Sequence, residues 1–105
     1  MRVLWSPLAI AKIQREAEYI ARDRPMAAER WADGIFESAR PLADFPNAGR
    51  IVPELARTDV RELIHGGYRL IYRISRDAIL ILTVRHSRRL LDLAEIETPD
   101  ETISS

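Results

Sequence analysis

The chain has 105 residues, 47% hydrophobic and 30% charged, with sixteen basic side chains against sixteen acidic ones and no cysteine. That size and balance fit one globular domain with a single core and exclude general disorder. Without cysteine neither a disulfide framework nor a thiolate metal site is possible, and no run reaches the about 18 apolar residues of a membrane-spanning helix.

In "RVLWS", residues 2–6, Val3 and Trp5 alternate with Arg2 and Leu4 in the manner of a strand. Ser6 followed by Pro7 is a helix start, an N-cap and then a first-turn proline whose missing N–H is no loss. Ile10, Ile13, Ala17 and Ile20 then recur at steps of three and four, which predicts an amphipathic helix ending before Pro25. Pro25 opens a second helix with Ala28, Trp31, Ile35, Ala39 and Leu42 on one face, and Pro41 is expected to kink or tighten its last turn. The two should lie antiparallel as a helical hairpin. "DFPNAGRIVPEL", residues 44–55, carries two prolines, Asn47 and Gly49 and reads as a loop. Beyond it the period becomes two. "DVRELI" (59–64), "YRLIYRIS" (68–75) and "AILILTVRH" (78–86) are strands, joined by two-residue turns at Gly66-Gly67 and Arg76-Asp77 into an antiparallel meander. The fold class is therefore α+β, a small antiparallel sheet in the order strand-helix-helix-strand-strand-strand with an α-helical hairpin packed on one face. Residues 1–93 form the single domain, and 94–105 an acidic C-terminal tail expected to be mobile beyond Pro99.

With both turns two residues long, position 69 pairs with 64 and with 84. One sheet face then carries Glu62, Ile64, Arg69, Ile71, Arg73, Leu80, Leu82, Val84 and His86. The other carries Leu63, Leu70, Tyr72, Ile74, Ile79 and Ile81, with Arg61, His65, Tyr68, Thr83 and Arg85 near its ends. The second face is the more apolar, so the helices are expected there, with Arg69, Arg73, Glu62 and His86 on the more open side. A slip of one residue would exchange the faces.

Charge is unevenly spread. Residues 1–49 hold seven basic and seven acidic side chains, residues 50–89 nine arginines against four acids, and residues 90–105 five acids and no base. Fifteen of the sixteen basic residues are arginine, which favours bidentate contact with carboxylate or phosphate. No phosphate-loop, dinucleotide or HExxH pattern is present, and Ser87 beside His86 is no hydrolase pair, because neighbours on a strand point to opposite faces. Arg69, Arg73 and His86, with Tyr72, remain the candidates for chemistry. Arginines stabilise a phosphoryl transition state and a histidine or tyrosine carries the proton, the outline of a metal-free ribonuclease. Structural roles compete at each position: a backbone-bonded strand-end histidine, a core tyrosine, arginines snorkelling from a half-buried sheet.

The succession "FPNAGRIVPEL", "VRELI", "YRLIYRI" and "ILILTVRHSRR" after two amphipathic helices resembles the ParE/RelE superfamily of bacterial type II toxins, over residues 1 to about 90. The glycine-arginine loop, the central strand and the "VRH" ending look more like the ParE branch. The resemblance implies the fold derived above; two histidines without cysteine argue against a structural zinc site, and no cofactor is expected. It also implies a cognate ParD-like antitoxin with a ribbon-helix-helix DNA-binding domain and a C-terminal segment that wraps the toxin. Operator DNA would be reached only through that antitoxin, with no membrane partner, in the cytoplasm.

RelE-like toxins are ribosome-dependent mRNA endonucleases that use basic residues on the concave sheet face and a C-terminal tyrosine, or histidine and tyrosine. ParE-like toxins inhibit DNA gyrase and have no agreed catalytic residues. Arg69 matches the arginine that begins the RelE-like central strand motif, but after Arg85 come His86 and Ser87 and no tyrosine follows. The expectation is therefore a gyrase inhibitor rather than an enzyme. The alternatives are an RNA endonuclease and a non-toxic antitoxin-binding module or corepressor. Arg61, Arg69, Arg85, Arg88 and Arg89 are the expected contacts to antitoxin or target, since an acidic amphipathic segment that folds on binding suits an arginine-rich sheet.

Overall fold

A computed structural model describes residues 1–87 and 93–96. The elements are β1 (Arg2–Trp5), α1 (Pro7–Ala21), α2 (Pro25–Ala39), a 3₁₀ turn (Arg40–Ala43), β2 (Arg50–Ile51), β3 (Val60–His65), β4 (Tyr68–Ile74), β5 (Ala78–His86) and α3 (Leu93–Ile96).

Ser6 shows how one side chain sets two elements. Its hydroxyl accepts the Ala9 N–H at 3.0 Å, capping α1, and donates to the Leu82 carbonyl at 2.8 Å, fixing that cap against β5. Pro7 follows at the first helical position. α2 ends at Ala39, and Pro41 lies within the 3₁₀ turn that tightens the exit. Gly66 and Gly67 have φ of +51° and +84°, the paired left-handed geometry of a two-residue hairpin turn, so the glycine pair predicted between β3 and β4 is required by the backbone.

The strands form one sheet in the order β1-β5-β4-β3-β2. The sheet is mixed rather than antiparallel, because β1 runs parallel to β5, pairing Arg2 with Ala78 through Trp5 with Ile81. β2 occupies the outer edge of β3, which leaves β1 the far edge of β5. β2 is itself a departure from the predicted loop: Arg50 and Ile51 pair with Glu62 and Arg61.

β3 and β4 pair in the predicted register, Ile64 with Arg69. β4 and β5 do not. Tyr72 pairs with Ile81 but Ile71 with Thr83, so Leu82 is an extra residue in a β-bulge. Beyond the bulge every β5 side chain changes face. Val84 lies opposite Leu70 within the helix-side cluster, while Arg85 lies opposite Arg69 and His86 opposite Tyr68. His86 is therefore removed from the face of Arg69, and Arg85 replaces it there.

Both faces are buried. On the helix side Ala9, Ile13, Ile35, Ala39 and Leu42 pack on Leu70, Tyr72, Ile79, Ile81 and Val84. On the other side Val60, Ile71, Ala78, Leu80 and Leu82 are covered by Val52 and Ile96, with Leu4 and Leu55 at the margin. The face expected to be open thus has a roof, built from the loop after β2 and from α3. Residues 94–96 of the acidic stretch belong to that roof, and residues 97–105 lie outside the described residues.

Candidate functional site

Under the roof, the arginines of β2 and β4 meet carboxylates. Arg69 donates from Nε to Glu62 Oε1 at 2.6 Å and from its two terminal nitrogens to the oxygens of Glu54 at 2.9 and 2.8 Å. Arg50 Nε donates to the other oxygen of Glu62. Glu62 is 1% exposed and Arg69 5%, so this is a buried ionic network and not an open basic surface. The bonds to Glu54 hold the Arg69 proton more tightly than usual, overcoming burial that would release it, and Glu62 adds to the effect. Glu54 is brought there by a tight turn, in which the Leu55 and Ala56 N–H groups donate to the Val52 carbonyl and Ala56 adopts a φ of +52°.

Beside it, Glu95 of α3 gathers a second set. Its carboxylate accepts from Lys12 Nζ at 2.9 and 2.8 Å, from Thr83 Oγ1 at 2.6 Å and from Arg85 at 2.9 Å. Burial alone would push the Glu95 carboxyl up, but the Lys12 and Thr83 bonds and the charges of Lys12 and Arg85 bring it below its ordinary range.

Arg61 and Tyr72 hold the loop that precedes β2. The Tyr72 hydroxyl donates to the Pro46 carbonyl at 2.7 Å and accepts the Gly49 N–H at 2.9 Å, and burial raises its pKa. Arg61 donates to the carbonyls of Thr58 at 3.2 Å and Gly49 at 3.0 Å. Only glycine fits at 49, since a Cβ there would lie 2.6 Å from the Glu62 carbonyl oxygen and 2.7 Å from the Tyr72 hydroxyl.

A cleft of about 150 Å³ opens between α1, α2 and the end of β5. Lys12, Arg15 and Arg85 bring positive charge to its lining, with Glu16 and Val84. Trp31, Tyr68 and His86 form a row of rings, with centroids 5.0 Å apart for the first pair and 5.4 Å for the second. The Tyr68 hydroxyl bonds to Glu16. Trp31 Nε1 and Arg85 Nε are buried donors without a hydrogen-bond partner among the described residues.

The predicted residues are thus divided. Arg69 and Arg85 meet as a cross-strand pair, with Arg73 four residues along β4 opposite Leu80. His86 stands in the cleft on the other side, and Arg61 braces a loop. Arg88 and Arg89 lie outside the described residues. Sequence reasoning missed Glu54, Glu95, Lys12, Trp31 and Glu16. The run of acids after residue 90 was the one available signal, for Glu95, since a basic strand followed by an acidic segment invites an internal pairing.

Residues 3–91 match the family model of the ParE toxin of the type II toxin-antitoxin system, parDE. The chain is 32% identical over 90 residues to Toxin RelE2 of Caulobacter vibrioides, covering 85% of this chain and 98% of that protein. It is 36% identical over 90 residues to Y4kP of Sinorhizobium fredii, covering 84% and 90%. A solved chain from the chromosomal ParDE toxin-antitoxin system of P. aeruginosa has the same fold, with a TM-score of 0.68 at 24% identity over 82% of this chain and 95% of that one. The family match spans the helical hairpin, all five strands and the loop that carries Glu54, and on it the chain belongs to the ParE toxin family of type II toxin-antitoxin systems.

Proposed function

We propose that this toxin acts in the cytoplasm by binding DNA gyrase, without catalysis of its own, and that a cognate antitoxin with an acidic wrapping segment neutralises it. The carrying observation is the state of Arg69. A metal-free nuclease needs a cation accessible to the scissile phosphate and a proton carrier beside it. Arg69, the residue that matches the nuclease motif, is 5% exposed and bound to two carboxylates, and His86 lies on the opposite face. This supports the binding mode over the endonuclease. The test is purified toxin in a gyrase supercoiling assay, run beside translating ribosomes with labelled mRNA. Loss of supercoiling with intact mRNA is expected. Normal supercoiling together with cut mRNA would reverse the assignment.

A further inference from the structure

We propose that the cleft between α1, α2 and the end of β5 is an anchor site for one glutamate or aspartate side chain of a peptide partner. The inference rests on the reading that a peptide antitoxin covers this toxin, but the chemistry of the cleft can be tested without one. The first ground is the pair of buried donors. Native structures rarely leave such groups unmade, because a donor removed from water without an acceptor is a net loss. Here two of them, Trp31 Nε1 and Arg85 Nε, belong to residues that line the same small cleft. Neither atom has exposed surface in the open cleft, so an incoming acceptor would reach them only as the side chains turn toward it.

The second ground is charge. Lys12 and Arg85 share the single carboxylate of Glu95, and Arg15 adds a further cation to the rim. The hold on Glu95 also shows what these cations accept: a carboxylate, taken at 2.8 and 2.9 Å. The third is shape. A volume of about 150 Å³ takes one side chain rather than a nucleotide, and Val84 with the Trp31 and Tyr68 rings offers an apolar wall for a methylene stem. That wall, and the negative charge already present as Glu16 and Glu95, favour a singly charged carboxylate over a phosphate.

Trp31 provides the readout. In the full-length ¹⁵N-labelled protein the indole N–H resonances of Trp31 and Trp5 are followed while N-acetylglutamate N-methylamide is added, with inorganic phosphate as a parallel arm. A saturable downfield shift at Trp31 in the millimolar range is expected, with Trp5 unmoved. The exposed Arg15→Gln variant should weaken it several-fold with the rest of the spectrum preserved. The proposal is overturned by an unmoved Trp31 resonance at tens of millimolar, by a response to phosphate at lower concentration than to the glutamate derivative, or by an unchanged titration in Arg15→Gln. Neither gyrase nor antitoxin enters the measurement, so its failure and that of the proposed function are separate results.

Discussion

Removing the Arg69 side chain would leave the carboxylate of Glu62, which has no solvent exposure, facing Arg50 alone across the sheet edge. A buried charge that loses one partner is strongly destabilising, whereas replacing the whole set by apolar residues of similar volume can be nearly neutral. Arg69→Ala is therefore expected to lower stability by roughly 3–5 kcal/mol in urea titration. Arg69→Met combined with Glu62→Leu should cost much less. A similar loss in both variants would mean that packing, and not charge, is what Arg69 supplies. Tyr72 makes the same point with a neutral group. Tyr72→Phe strips the Gly49 N–H and the Pro46 carbonyl of their partner, and the expected loss is about 1–3 kcal/mol, the range for an unsatisfied buried donor. If Tyr72→Phe unfolds at the wild-type urea midpoint, water has replaced the hydroxyl and the loop is not held by it.

At the level of elements, α3 is held to the sheet by Glu95 and Ile96, the latter 2% exposed. The Glu95 carboxyl lies below its ordinary value in the folded protein, so its contribution is present above the unfolded carboxyl pKa of about 4.3. It is lost as pH falls through the lower folded value. Glu95→Gln should be less stable than wild type at neutral pH, and its stability should fall less steeply below about pH 4. Parallel acid-unfolding curves for the two proteins would show that the clasp is energetically idle. The elements also show what was legible beforehand. The helices and the β3–β4 hairpin carry explicit signals: Ser6-Pro7, Pro25, a steady apolar period and Gly66-Gly67. The bulge at Leu82 carries none. Residues 78–84 are buried on both faces, so the run AILILTV has no polar alternation in which a one-residue insertion could register. His86 was placed beside Arg69 for that reason, and the cleft containing it was missed. The two-residue β2, between Pro46 and Pro53, is likewise too short to show a period.

The molecule as a whole is a sheet with apolar clusters on both faces, and β4 and β5 contribute to both. Leu70 and Ile71 are neighbours in β4, each fully buried, one under the helices and the other under the loop and α3. If the two layers were independent, loss of one would leave the other standing. The shared strands argue otherwise, because neither layer can separate without exposing the backbone and side chains that the other is built on. Leu70→Ala and Ile71→Ala are each expected to cost about 2–5 kcal/mol, the range for deleting a large aliphatic side chain from a core. Each variant should still unfold in one transition. Tryptophan fluorescence reports the helix side, since both Trp5 and Trp31 pack against that cluster, while far-ultraviolet circular dichroism reports the whole chain. Coincident midpoints from the two probes in both variants are the expected result. In Leu70→Ala, a fluorescence change that precedes the loss of ellipticity would mean that the helical hairpin detaches as its own unit. The cleft under Trp31 would then open before the sheet does.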